Sequence, residues 1–306
     1  MLIFIKGVSK WNHHIQLYIV KIIITACGLL MIIITLAIGA FLCYKGVGTF
    51  TTYGHSVGEF LFSSQWAPAD NAQGGGKVGA AIFIFGSIIT CALALLISTP
   101  FSIASAIFMT EISPGIGRKI LQPAVEIFVG IPSVVYGWIG LTILVPFIKD
   151  LFDLKFGFSV LAAGIVLAVM IYPTITSLSA DAIRSIPKSF RQASYGLGAT
   201  RWQTISQVVI PASKSGLMTA IVLGLARAFG EALAVAMVIG KMKAFPESLL
   251  SPTTNLTAAI ASDMGGAMEG SEYNIALWSM ALLLFIISLV FIFIIHYISA
   301  KGGHKA

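Results

Sequence analysis

Polar positions are sparse along this chain and fall in clusters. Between them lie six long apolar stretches, near residues 22–44, 79–110, 120–147, 158–180, 217–240 and 274–299. A helix needs roughly 20 apolar residues to cross about 30 Å of hydrocarbon, and each stretch meets that length. The second is too long for one straight span, and Pro100 divides it. Residues 79–99 are therefore read as the crossing and 100–110 as its kinked continuation. In the third stretch, Gly130 and Pro132 predict a break or kink. The first follows Lys6, Lys10 and Lys21, as a signal peptide would, yet its uninterrupted run from 22 to 44 outlasts a signal core of about 7–15 residues. It is read as a retained helix. The pattern predicts an all-α integral membrane protein with six transmembrane helices.

Composition agrees. Of 306 residues, 57% are hydrophobic and 10% charged, with a mean hydropathy of +0.94. Soluble proteins carry about 25% charged residues, so a water-soluble globule, a disordered chain and a collagen-like repeat are all excluded. Cys27, Cys43 and Cys91 lie inside apolar runs and read as small core residues. With the N-terminus inside, twelve of the 19 lysines and arginines fall on inner segments, six on outer loops, and Arg227 inside a span. That bias puts both termini in the cytoplasm and makes the net charge of +7 a topology signal, with no need for a nucleic-acid partner. Residues 1–75 form an N-terminal segment with the first helix and an outer loop. Residues 76–300 form the core, with a cytoplasmic loop at 181–214. The outer loops 45–78 and 241–273 either dock an extracytoplasmic partner or serve as solvated connectors.

Catalytic patterns are missing. Gly76-Lys77 and Gly240-Lys241 lack the remaining residues of a phosphate-cradling P-loop, and neither a His-Glu-x-x-His pair nor a Gly-x-Ser-x-Gly elbow occurs. His13, His14, His55, His296 and His304 make no metal-ligand pattern, and His13-His14 reads as an interfacial polar step. Any energised work must draw on another chain.

The loop 181–214 contains six charged residues, with Phe190, Tyr195, Trp202, Ile205, Val208 and Val209 recurring among them. Such anchors on a basic scaffold with small Ala193, Ser194, Gly196 and Gly198 suit a short helix docking into another protein's groove. An amphipathic loop lying on the lipid surface fits equally well. In the fifth span, Gly216, Ala220, Gly224, Ala228, Ala232, Ala236 and Gly240 make a ridge of small residues at a period of four, which permits close helix packing. Arg227 and Glu231, also four apart, are expected to stack on one face near mid-span. Charges at that depth cost roughly 2.5–3.5 kcal/mol each on insertion scales, so neither should face lipid. They are either a structural ion pair or the lining of a substrate path in which Arg227 offers planar donors to an oxyanion. Tyr136, Thr174 and Thr176 are further polar candidates for the path, and Glu126 is a structural carboxylate near the inner end of the third span.

The run from Gln192 to Pro211 resembles the cytoplasmic "EAA" loop of ABC-importer permeases. Gln192, Ala193 and Ser194 fill the triplet, Gly198 the glycine, and Val208, Ile210 and Pro211 the end, with every spacing kept. Gln192 and Ser194 depart from the Glu and Ala of that motif. The text Arg227-Ala228-Phe229-Gly230-Glu231-Ala232-Leu233-Ala234-Val235 resembles the fifth span of phosphate-specific ABC transporter permeases of the C type. Gly130 to Gly137, Tyr172 to Thr176 and Asn255 to Ala261 are similar to other parts of the same family. The resemblance implies a type I ABC importer permease core with Arg227 and Glu231 on the phosphate path and the 181–214 loop as a coupling helix. It also implies a second permease subunit, two ATP-binding cassette subunits that hold ATP and Mg, and an extracytoplasmic phosphate-binding protein. Sulfate or molybdate would suit the same arginine, and an ion-coupled carrier is the reading from a different class.

Overall fold

The computed structural model describes the backbone of residues 2–303 and the side chains of residues 18–298. The side chains of Lys6, Lys10, His13, His14, Lys301, His304 and Lys305 therefore lie outside the described residues. Among the described residues, six helices are long and apolar enough to cross a membrane: Tyr18–Thr51, Ala81–Ile112, Ser133–Leu151, Val160–Arg184, Arg201–Gly230 and Glu272–Ile298.

The chain opens with α1 (Leu2–Gly46) and a short α2 (Gly48–Thr51). In the most apolar stretch of this first span 6% of residues are buried, against 67% for the fourth, so the first span is peripheral and presents its aliphatic side chains outward. α3 (Val57–Phe62) is capped by Ser56, which accepts from the Glu59 amide. A two-residue antiparallel ladder then pairs β1 (Trp66–Ala67) with β2 (Lys77–Val78).

The second span, α4 (Ala81–Ile107), runs through Pro100 and continues as a π-helical turn to Ile112. Its extensive packing against the fourth span holds it through the proline. The third apolar stretch does break where Gly130 and Pro132 predict. After α5 (Pro114–Ile116) comes α6 (Gln122–Gly130), then extended Ile131, and helix resumes as α7 (Ser133–Ile139). A residue before proline is pushed out of the helical region, which explains Ile131. α8 (Val145–Leu151) completes that span.

The fourth span, α9 (Val160–Arg184), is the centre of the bundle, with α4 on one side and the fifth span on another. Ser102 donates to the Tyr172 carbonyl at 3.1 Å, and Ser105 Oγ lies 2.8 Å from Tyr172 Oη, which ties α4 to α9 by polar contacts as well as packing. Next come α10 (Lys188–Gly196), α11 (Arg201–Thr204), a π turn at Ile205–Val209 and α12 (Ile210–Gly230). The fifth span thus occupies 201–230 in place of the expected 217–240. Its early start follows from a capping box, in which Thr200 and Gln203 satisfy each other's backbone amides. α13 (Leu233–Val238), α14 (Leu256–Asp263) and α15 (Glu272–Gly303) follow, the last packing against α1 and α12.

The loops 45–78 and 241–273 are locked together by a buried carboxylate. Glu272 is fully enclosed and accepts from the amides of Ala69 (2.7 Å), Gly75 (3.2 Å) and Gly76 (2.8 Å). Its Oε1 also lies 2.7 Å from His55 Nε2, while His55 Nδ1 is 3.2 Å from Glu59. These segments are an ordered cap over one end of the bundle. His55 and Glu59, four apart in sequence, were the local half of this cluster; Glu272 arrives only through the fold.

Candidate functional site

The fifth span ends at Gly230. Glu231 is extended (φ −76, ψ 119) and helix resumes only at Leu233. Arg227 and Glu231 are therefore not stacked on one continuous helix, and the ridge of small residues is interrupted as well. Ala220, Gly224 and Ala228 are buried along α12, whereas Ala232, Ala236 and Gly240 lie beyond the break, where α13 packs on α7 and α14. Tertiary hydrogen bonds explain the difference. Thr257, in the first turn of α14, donates to the Glu231 carbonyl at 2.7 Å, and the Glu231 carboxylate accepts from the Ala234 amide at 3.0 Å. The main chain of Glu231 is held from outside, and its side chain caps the next helix.

Arg227 stands in the last turn of α12, half-buried, where a cation complements the helix dipole. Its Nη1 donates to Thr174 Oγ1 at 2.5 Å, across to α9. None of the ion pairs among the described residues includes Arg227, so of the two alternatives the structural ion pair with Glu231 does not form. A guanidinium has five N–H donors. Thr174 holds the group by one nitrogen, and among the described residues no carboxylate pairs with it. That arrangement can present a fork of donors to a planar or tetrahedral oxyanion.

The other candidates behave differently. Tyr136 is buried and donates to the Phe128 carbonyl at 2.7 Å, so its hydroxyl braces the Gly130–Pro132 break from the far side. Thr176 is fully enclosed, next to buried Ile175 in α9, and its hydroxyl has no hydrogen-bond partner among the described residues. Glu126 accepts from Gln122 at 3.0 Å, and Gln122 in turn accepts from Arg184 at 3.2 Å. The Glu126 carboxylate thus reaches Arg184 through the Gln122 amide. Asn255 and Thr257 escaped the sequence reading as functional positions. Asn255 caps α14 by accepting from the Ala258 amide at 2.8 Å, a signal that an Asn ahead of an apolar helix does carry.

The 181–214 loop is a helix–turn–helix. Gln192, Ala193 and Ser194 lie on α10, Gly198 in the turn, and Ile210 and Pro211 at the start of α12. Gly198 has φ +82 with open space around it, so the glycine is required by backbone conformation rather than by crowding. The Ser194 departure finds a reason: its hydroxyl is 2.9 Å from Thr204 Oγ1, closing α10 onto α11. Gln192, Ala193, Phe190, Leu197 and Trp202 remain exposed. The segment is anchored to the second span by a clamp absent from the sequence reading. Arg191 bonds Glu111 through Nε (3.1 Å) and Nη2 (2.5 Å), and also the carbonyls of Ile186 and Ile183. Arg201 adds bonds to the Glu111 and Ile112 carbonyls.

Residues 98–302 match the model of the family described as "binding-protein-dependent transport system inner membrane component". The chain is 52% identical to the probable ABC transporter permease protein YqgH of Bacillus subtilis, covering 96% of this chain and 94% of that protein. It is 34% identical to the phosphate transport system permease protein PstC of Pasteurella multocida, covering 97% of each. Among solved structures, it is similar in fold to a bacterial ABC transporter involved in import of the acidic polysaccharide alginate. The TM-score is 0.55 at 17% identity, over 92% of this chain and 96% of that one. The inward-facing MetNI methionine ABC transporter aligns at TM-score 0.54 and 20% identity, over 72% of this chain and 96% of that one. With two thirds of its length matched by one family model and near-complete alignment to curated permeases, this chain belongs to the family of binding-protein-dependent transport system inner membrane components.

Proposed function

We propose that this chain is a permease subunit of an ATP-driven importer that moves inorganic phosphate across the cytoplasmic membrane of a bacterium. The single observation that carries the reading is Arg227: a cation at the end of a broken membrane helix, held by a neutral threonine and without an ion-pair partner among the described residues. A charge so costly in lipid is retained where something charged must pass or dock. The relatedness to PstC of Pasteurella multocida supports phosphate as that anion. In this reading Thr174 positions the guanidinium, and Glu231, which stays beside the break, keeps the anion from being held too tightly.

The exposed face of α10 and its turn supports docking to an ATPase, since this chain has no P-loop of its own. A second permease and two ATPase copies, holding ATP and Mg, complete the machine. An extracytoplasmic phosphate-binding protein delivers the cargo over the cap formed by 45–78 and 241–273. Both termini are cytoplasmic. ATP binding draws the ATPases together and the coupling segment passes that motion to the spans; hydrolysis resets it.

Uptake of labelled phosphate into vesicles carrying the assembled complex tests this directly. ATP-dependent uptake that excess sulfate does not block is expected. Arg227→Gln should reduce it to background while the complex still assembles. Full uptake by that variant would remove Arg227 from the path. Uptake blocked by sulfate would make the cargo a different oxyanion, and uptake without ATP would indicate an ion-coupled carrier.

A further inference from the structure

A second concentration of positive charge lies at the opposite end of the bundle from the Glu272 cap, and the proposed anion path at Arg227 makes no use of it. Between the turn that follows α4 and helix α10 is a cavity of about 630 Å³. Arg118, Arg184, Lys188, Arg191 and Arg201 line it, with Glu111 as the acidic member. The inventory of partners is uneven. Glu111 is consumed by Arg191, both being largely buried at 10% and 18% exposure. Arg201 is turned to backbone carbonyls. Arg184 reaches Asp181 only at 3.4 Å, with both side chains well exposed. Arg118 and Lys188 have no ion-pair partner among the described residues. After every internal pairing, the cavity keeps an excess of cations converging on one space.

We propose that this cavity binds a phosphate-bearing anion at the membrane surface, separate from the transport path at Arg227. Like charges brought together on a folded surface repel one another unless a counter-charge sits between them, and walls of low dielectric concentrate their field into the cavity. A fork of guanidinium donors and a lysine point charge are the groups that suit phosphate oxygens. The Arg191–Glu111 clamp provides a rigid floor, so the site is built without the ligand. Met109, Pro114, Ile186 and Tyr195 supply apolar wall beside the cations, which suits a headgroup whose glycerol and chains lie alongside. A free phosphate from the cytoplasm satisfies the same donors. The inference rests on the proposed function only for placing this face in the cytoplasm. Because α10 forms one wall, occupancy would bear on the segment that meets the ATPase.

The test uses the complex purified through this chain, delipidated in detergent, with Arg227→Gln as background so that the path contributes no binding. Two probes are titrated, short-chain phosphatidylglycerol and labelled inorganic phosphate, with zwitterionic phosphatidylcholine as control. Saturable binding of at least one probe is expected, weakening with salt. The double variant Arg118→Gln/Lys188→Gln should lose about tenfold in affinity per cation removed. Arg118→Lys/Lys188→Arg should retain binding, which separates charge from folding. Phosphatidylglycerol alone binding identifies a lipid headgroup, and phosphate alone a soluble anion. Three outcomes overturn the proposal: neither probe binds, the neutral variant binds as well as the parent, or the charge-keeping variant loses as much as the neutral one. Because the readout is binding, its failure is distinct from a failure of vesicle uptake.

Discussion

Arg227 and His55 show how a single side chain takes its meaning from a distant partner. Arg227 is legible in sequence as a cation inside an apolar run; its Thr174 tether, from another helix, is not. His55 belongs to no metal-ligand pattern in the sequence, yet it bridges Glu59 and Glu272 within an ordered cap. Burial favours the neutral imidazole, but hydrogen bonds to Glu272 and Glu59 outweigh it, and the His55 pKa is raised above its ordinary value. A group whose folded pKa is raised contributes stability that is fully present below its unfolded pKa, about 6.5, and lost as pH rises through the folded value. The thermal midpoint of the solubilised protein should therefore fall as pH rises through that window. In His55→Gln this component of the slope should vanish. Identical midpoint–pH profiles for the two proteins would show that the histidine carries no proton into the cap.

At the scale of elements, the loop that seats α14 depends on one close approach. A Cβ on Gly86 of α4 would lie 1.9 Å from the Thr254 carbonyl, and the neighbouring Ser87 hydroxyl accepts from the Leu256 amide at 3.0 Å. Backbone cannot yield as a flexible side chain does. Gly86→Ala is expected to cost at least the roughly 1–3 kcal/mol of core overpacking and to lower the thermal midpoint. Gly28→Ala, with nothing within 4 Å of its Cβ on the peripheral first helix, should leave the midpoint unchanged or slightly higher. Equal midpoints for the two variants would contradict the close approach. The same elements show what the hydropathy pattern can reveal. All six spans were legible because crossing length and apolarity are local properties, and the Ile131–Pro132 break was legible because proline acts on its immediate neighbour. The break at Glu231 was not. Residues 216–240 keep a helical period throughout, and the interruption is imposed by Thr257, 26 residues onward. Thr200 and Gln203 carried a capping signal that would have moved the start of the fifth span to Arg201.

Across the whole molecule, α4 connects the two regions in which function is proposed to reside. Its inner end is gripped by Arg191 and Arg201 of the α10–α11 segment, which we propose couples to the ATPase, and its length lies along α9. At the other end Gly86 and Ser87 seat the segment whose Thr257 holds the broken span at Glu231. A displacement of α10 is therefore expected to reach the Arg227 site through these packed, hydrogen-bonded contacts, with the Glu111–Arg191 pair as the first link. That pair is largely buried, and removing one partner from a buried pair strands the other charge at a cost of about 3–5 kcal/mol. Glu111→Gln is expected to loosen α10 from α4 without touching either the docking face or the anion path. ATP hydrolysis by the assembled complex should continue, whereas phosphate uptake per ATP should drop by about tenfold, the equivalent of 1.4 kcal/mol of lost coupling. The exchanged double variant Glu111→Arg/Arg191→Glu should recover part of the ratio if attraction between the two side chains is what transmits the motion. A Glu111→Gln complex that hydrolyses and transports in the parental ratio would place the mechanical link elsewhere, along the direct contacts of α12 with α9.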